Sequence, residues 1–177
     1  MTEILLPRGH VLLVDDADAQ LVSRRRWHAI PARSTFYAQA GDDTSTLLHR
    51  WLLDVAPGVL VDHINRNGLD NRRANLRLAT TSQNHANRPA PSNNTSGYKG
   101  VSRARSGRWV AYITVDYRRT FLGTFDTAWR AAQAYNAAAL EAWGEFALLN
   151  VYRPQSARDG GPGCPGPRGA TLTGAGR

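Results

Sequence analysis

Apolar positions along this chain recur with a period of two in some stretches and near four in others, and the switches mark out its elements. His10-Val11-Leu12-Leu13-Val14 reads as a strand, and Asp15-Asp16 then caps a short helix from about Ala17 to Arg25, with Leu21 and Val22 on its apolar side. Trp27 to Ala40 reads as extended, interrupted at Pro31. Thr46 opens a helix in which Leu47, Leu48, Trp51 and Leu52 fall at helical spacing, and Pro57-Gly58 ends it. Val59-Leu60-Val61 is a strand running into Asp62-His63. Leu76-Arg77-Leu78-Ala79 is a second strand, and Ser82 begins the next helix.

Residues 89–96 contain two prolines and no large apolar side chain, the pattern of a linker. A second unit follows. Tyr98 to Val101 reads as a short strand, Ser106-Gly107 as a turn, and Trp109 to Val115 as an alternating strand. Asp116-Tyr117 turns the chain into Arg119 to Phe125, which completes a three-stranded antiparallel meander. Asp126-Thr127 caps a helix reaching about Trp143, stopped by Gly144. Its Ala128, Ala131, Ala132, Ala138 and Ala139 let it lie close to a sheet, on the Trp109, Ala111 and Ile113 side with Leu122. From Pro154 the chain has almost nothing to bury and is expected to be disordered.

Charge sharpens this division. Residues 1–60 carry six basic and seven acidic side chains, while residues 61–153 carry thirteen basic against six acidic, a net of +7 in a chain of net +8. Positive charge thus gathers where a polyanion would be handled. The single cysteine, Cys164, rules out a disulfide framework and a Cys-based structural zinc. No signal peptide, no long apolar run and no coiled-coil pattern is seen, so the expectation is a monomeric, intracellular, cytoplasmic protein with no membrane partner.

The chemistry concentrates between residues 62 and 88. Phosphodiester hydrolysis needs deprotonated water, compensation of charge on the phosphate oxygens, and in-line attack. The His63 imidazole suits the first task. Asp62 offers a carboxylate and Asn84 an amide oxygen, hard donors for a cation such as magnesium, or manganese in its place. Adjacent positions leaving a strand point apart, so Asp62 can face the metal while His63 faces the water. The Asn75 amide can bridge backbone groups across the Asn65–Ala74 loop. An isolated Asp-His pair is ordinarily a solvated strand end and a lone Asn at a helix start is ordinarily a cap. It is their conjunction that points to a nuclease.

Leu48-His49-Arg50, Asp62-His63-Ile64-Asn65, Asp70-Asn71-Arg72-Arg73-Ala74-Asn75-Leu76-Arg77 and Gln83-Asn84 resemble the phage and intron-encoded HNH homing endonucleases, over about residues 8–88. The resemblance implies that His63 is the general base, Asp62 and Asn84 are metal ligands and Asn75 is the structural asparagine. Many members have histidine at the last motif position. Here Asn84 stands there with His85 beside it, and the homing subgroup's use of an amide assigns Asn84. The roles of His49 and His85 stay open.

Ser96-Gly97-Tyr98-Lys99-Gly100-Val101, Gly107-Arg108-Trp109, Leu122-Gly123-Thr124-Phe125-Asp126-Thr127, Ala134-Tyr135-Asn136 and Phe146-Ala147-Leu148-Leu149-Asn150 resemble the APETALA2/ERF DNA-binding domain. Where plant members have arginines on the first strand and its turn, this chain has Ser102, Ala104 and Ser106. Docking on DNA is implied, and the plant domains' base preference is not.

These readings combine into an α+β protein. Residues 1–88 form an HNH nuclease domain with a ββα-metal core at about 58–88. Residues 89–96 are the linker, 97–153 an APETALA2/ERF-like domain of three antiparallel strands and one helix, and 154–177 a tail. The expected activity is metal-dependent cleavage of double-stranded DNA through His63, Asp62 and Asn84. Candidate DNA contacts are Arg66, Arg72, Arg73, Arg77, Arg88, Lys99, Arg103, Arg105, Tyr112, Thr114, Arg119 and Phe121. The rivals are a non-catalytic DNA-binding regulator with a decayed nuclease unit, and an RNA-directed or repair nuclease.

Overall fold

The computed structural model describes residues 1–154, so the expected tail beyond Pro154 lies outside the described residues. The chain opens on a hairpin, β1 (Thr2–Leu5) antiparallel to β2 (Val11–Val14). The first of these strands was not expected, because Thr-Glu-Ile-Leu is too short to show a period. α1 (Asp16–Ser23) follows, then the hairpin β3 (Trp27–Pro31) and β4 (Phe36–Ala40) and the short helix α2 (Leu48–Leu52). The α1 face differs from expectation: Leu21 is exposed, and Asp18 is buried beside Val22 one turn away. An ion pair between Asp18 and Arg73 makes that burial tolerable. α2 starts two residues later than expected, since the Thr46 hydroxyl donates to the Asp43 carboxylate at 2.6 Å and the Thr46 amide to its carbonyl.

Leu12, Val14, Val22, Trp27, Ala38, Ala40, Leu48, Leu52 and Leu69 form one core beneath these elements. β5 (Leu60–His63) pairs antiparallel with β6 (Leu76–Ala79), and α3 (Thr81–Ala86) packs back across them. A reciprocal cap sets the start of α3. The Gln83 amide donates to the Thr80 hydroxyl, and the Thr80 amide to the Gln83 side chain, so the helix begins one residue before Ser82.

The second unit is the sheet β7 (Val101–Arg103), β8 (Trp109–Val115) and β9 (Arg118–Phe125) in that order, covered by α4 (Ala128–Trp143). Ala111, Ala128, Ala131, Ala132 and Ala139 are essentially sealed, which is why helix and sheet approach so closely. β7 is displaced from the expected Tyr98–Val101. The Ser96 hydroxyl bonds to the Tyr98 and Val101 carbonyls, and left-handed Gly97 and Gly100 curl the chain between them. Gly100 has a second reason to lack a side chain: a Cβ there would meet the Tyr135 ring at 2.0 Å. Asn136 and Asn150 bond reciprocally, which ties the segment after α4 back onto it.

Candidate functional site

The β5–β6 register sets Asp62 opposite Arg77 and His63 opposite Leu76, so the two neighbours emerge on opposite sides of the ribbon. Asp62 faces α3. Both its carboxylate oxygens accept from Asn87 Nδ2 at 3.0 Å, and Oδ2 also accepts from Arg77 at 2.8 and 2.9 Å. Asn87 additionally donates to the His63 carbonyl at 2.9 Å. Asn84 precedes Asn87 by three positions, hence lies on the same side of the helix, and is half-buried. The structure therefore brings Asp62 to the α3 face that carries Asn84, with Asn87 as the amide in direct contact. Sequence reasoning missed Asn87, although its three-residue spacing from Asn84 was a readable signal.

His63 sits among rings on the other side. His49 approaches it edge-on with centroids 5.0 Å apart, and Tyr37 lies 5.7 Å away. His63 Nε2, His49 Nδ1 and Asn71 Oδ1 are all buried without a protein partner among the described residues. Burial pushes His63 below the usual imidazole range, opposed by the Asn71 amide and then by the carboxylates of Asp62 and Asp70. Burial, with the neighbouring His63 and Arg50, pushes His49 down to about 3. Both rings are held neutral at physiological pH.

The loop between the strands is tied at several points. Asn75 Oδ1 accepts from the Asn65 amide at 3.0 Å, and its Nδ2 donates to Asn65 Oδ1 and the Asp70 carbonyl. Arg72 grips Asp70 through two bonds of 2.7 and 2.6 Å, holding that carboxyl below its ordinary range. Leu13 exchanges backbone bonds with Leu69 and Asn71, and Asp15 accepts from the Arg73 amide. The loop is thereby pinned to β2 and α1. Gly68 belongs here too, since a Cβ would strike the Tyr37 ring at 2.4 Å.

Several of the expected DNA contacts already have partners within the protein. Arg72 and Arg73 are committed to Asp70 and Asp18, and Arg77 to Asp62, the Glu145 carbonyl and the Phe146 ring 3.9 Å away. Each holds structure together because a carboxylate lies within reach. Lys99 is turned inward, its ammonium donating to the carbonyls of His85, Ala86 and Arg88, and burial draws it down to about 8. Arg103 pairs with Trp109 in the register and lies over that ring at 5.7 Å, on the helix side of the sheet. Tyr112, Thr114, Arg119 and Phe121 do share the outward face, with the Arg119 guanidinium 3.8 Å from the Tyr112 ring and the Phe121 ring tilted against Tyr112 at 5.3 Å. Arg66, Arg88 and Arg105 are exposed without an ion pair among the described residues. Burial lowers His85, and the charges of Arg88, Lys99 and then Arg33, which sequence reasoning passed over, lower it further.

An HNH endonuclease family model matches residues 54–86. An uncharacterized HNH endonuclease of Acanthamoeba polyphaga mimivirus is 32% identical over 136 residues, covering 73% of this chain and 69% of that protein. The C-terminal part is similar to Arabidopsis thaliana dehydration-responsive element-binding protein 2D, 46% identical over 70 residues, 38% of this chain and 33% of the relative. It is also similar to an Arabidopsis thaliana AP2/ERF and B3 domain-containing transcription factor, 42% identical over 65 residues, 37% of this chain and 18% of the relative. The chain thus spans a third or less of these plant factors. No solved structure matches.

Proposed function

The chain belongs to the HNH endonuclease family, joined to an AP2/ERF-like unit, and we propose that it is a divalent-metal-dependent DNA endonuclease whose C-terminal sheet docks on the duplex. The observation that carries this reading is the end of β5. There Asp62 is presented to the Asn84/Asn87 face of α3, and the neighbouring His63 is held neutral at the head of the loop bridged by Asn75.

No three His, Cys, Asp or Glu side chains cluster as metal ligands among the described residues. The candidate donors are one carboxylate and one amide. Asp62 and Asn84 are hard oxygen donors on facing elements and fit magnesium or manganese. When bound, the cation supplies Lewis-acid stabilisation of charge on the phosphate oxygens. The protein's own groups do the rest. His63 Nε2 is closed in by the protein, which leaves Nδ1 to take the proton from the attacking water. Asn87 holds the Asp62 carboxylate and the His63 carbonyl at once, so the two neighbours keep a set orientation. Arg66, Arg88 and Arg33 offer charge to the phosphate backbone, Tyr112, Thr114, Arg119 and Phe121 form the docking face, and Arg105 adds charge from the β7–β8 turn.

Supercoiled plasmid is expected to be nicked or linearised with magnesium and left intact with EDTA. His63→Ala is expected to abolish cutting while binding is kept, and cutting by that variant at the wild-type rate overturns the base assignment. One observation favours the reading as a DNA-binding regulator: both Asp62 oxygens already accept hydrogen bonds from the protein. Failure of the wild type to cut in magnesium or manganese, with DNA binding intact, would select it.

A further inference from the structure

α3 spans six residues, too short to hold itself, and the C-terminal unit grips it at both ends. At its start the Trp143 indole N–H donates to the Ser82 hydroxyl at 3.0 Å. At its end Lys99 Nζ donates to the carbonyls of His85, Ala86 and Arg88 at 3.3, 2.6 and 2.7 Å, and the Leu148 amide donates to the Ala86 carbonyl at 3.1 Å. An ammonium is well suited to carbonyls at the negative end of a helix, where they lack a full set of intrahelical partners. Lys99 is itself fixed, its amide donating to Asn150 Oδ1 at 2.7 Å and its carbonyl accepting from Asn150 Nδ2 at 3.1 Å. Asn150 is tied in turn to Asn136 on α4. A continuous path of hydrogen bonds therefore runs from α4 through Asn150 and Lys99 to the end of α3, where Asn87 meets Asp62. Arg77 makes a second path from Asp62 to the Glu145 carbonyl.

We infer that Lys99 and Trp143 are positioning residues through which the C-terminal unit sets α3 against Asp62, so that docking and cutting are locked at one spacing. The part of this inference that concerns cutting rests on the endonuclease reading above. The linker 89–96 then acts as a connector alongside a rigid joint. A second consequence is that the docking unit completes the nuclease unit and does more than deliver it to DNA.

Hydrogen exchange on the full chain tests the joint without any cleavage. In Lys99→Met, Trp143→Phe and the double variant, the Asn84, Asn87 and Arg88 amides are expected to exchange faster, by about tenfold or more in the double variant. The β3–β4 and β8–β9 amides should keep their protection. Unchanged α3 protection in the double variant overturns the inference. The second arm maps cut positions against the protein's footprint on a random duplex library in magnesium. Wild type is expected to show one offset, retained when a Gly/Ser insert of about six residues lengthens the linker and spread by the double variant. Spreading by the insert with a tight offset in the double variant overturns it. A wild type that cuts nothing would defeat the endonuclease reading and leave the exchange result to decide this one.

Discussion

Arginine does different work in the two units. In the N-terminal unit Arg72, Arg73 and Arg77 each hold a carboxylate, and all three of those carboxylates, Asp70, Asp18 and Asp62, are almost wholly enclosed. In the C-terminal unit Arg119 on a strand and Arg105 in a turn are exposed with no carboxylate against them among the described residues, while Arg108 and Arg130 share the exposed Asp126. One set keeps the loop of the candidate site in shape and the other is available to a polyanion. The difference follows from enclosure: a guanidinium beside a desolvated carboxylate cannot leave without stranding it.

The largest effect is expected where that pairing is deepest. Arg77→Ala leaves the Asp62 carboxylate buried with only Asn87 as a partner, and should lower unfolding free energy by about 3–5 kcal/mol in urea melts. A loss below about 1 kcal/mol would show that solvent reaches Asp62 freely.

Acid and alkali should separate the units next. His49 is depressed from 6.5 to about 3, so its contribution to stability is present above pH 6.5 and is lost as pH falls toward 3. Tyr135 is raised by burial from 10.0 to about 12, so its contribution is present below pH 10 and is lost as pH rises toward 12. Melts across pH should therefore show an acid arm removed by His49→Leu and an alkaline arm removed by Tyr135→Phe. Retention of both arms in both variants would contradict these assignments.

The smallest stability effect belongs to the sheet face. Arg119→Ala should change unfolding by less than about 0.5 kcal/mol, yet weaken DNA binding and reduce the slope of log K against log salt by about 1. An unchanged slope would remove Arg119 from the docking face and blur the contrast with Arg77.

Much of the architecture was legible locally. The α4 limits at Thr127 and Gly144 and the turn at Asp116-Tyr117 depend on residues a few positions apart. The alternation through β8 correctly set Ala111 and Ile113 against the helix and Tyr112 and Thr114 away from it. Arg103 escaped that logic because its face is set by pairing with β8, and the bend at Gly97–Gly100 shifts where that pairing begins. Leu21 is not on the buried face of α1 as expected, and Asp18 is, because the partner of Asp18 lies 55 positions along the chain.

By itself, then, the sequence determined the two units, their element order after β1 and which segments could carry an acid, an imidazole and an amide. Those features are written in capping, turn chemistry and short-period hydrophobicity, which act over a turn or a strand. The tertiary structure decided which cations are free, that Asn87 is the amide touching Asp62, and that Lys99 closes the end of α3. Each of these depends on which charged or polar groups are brought together and cut off from water, a choice made only when distant segments close on one another.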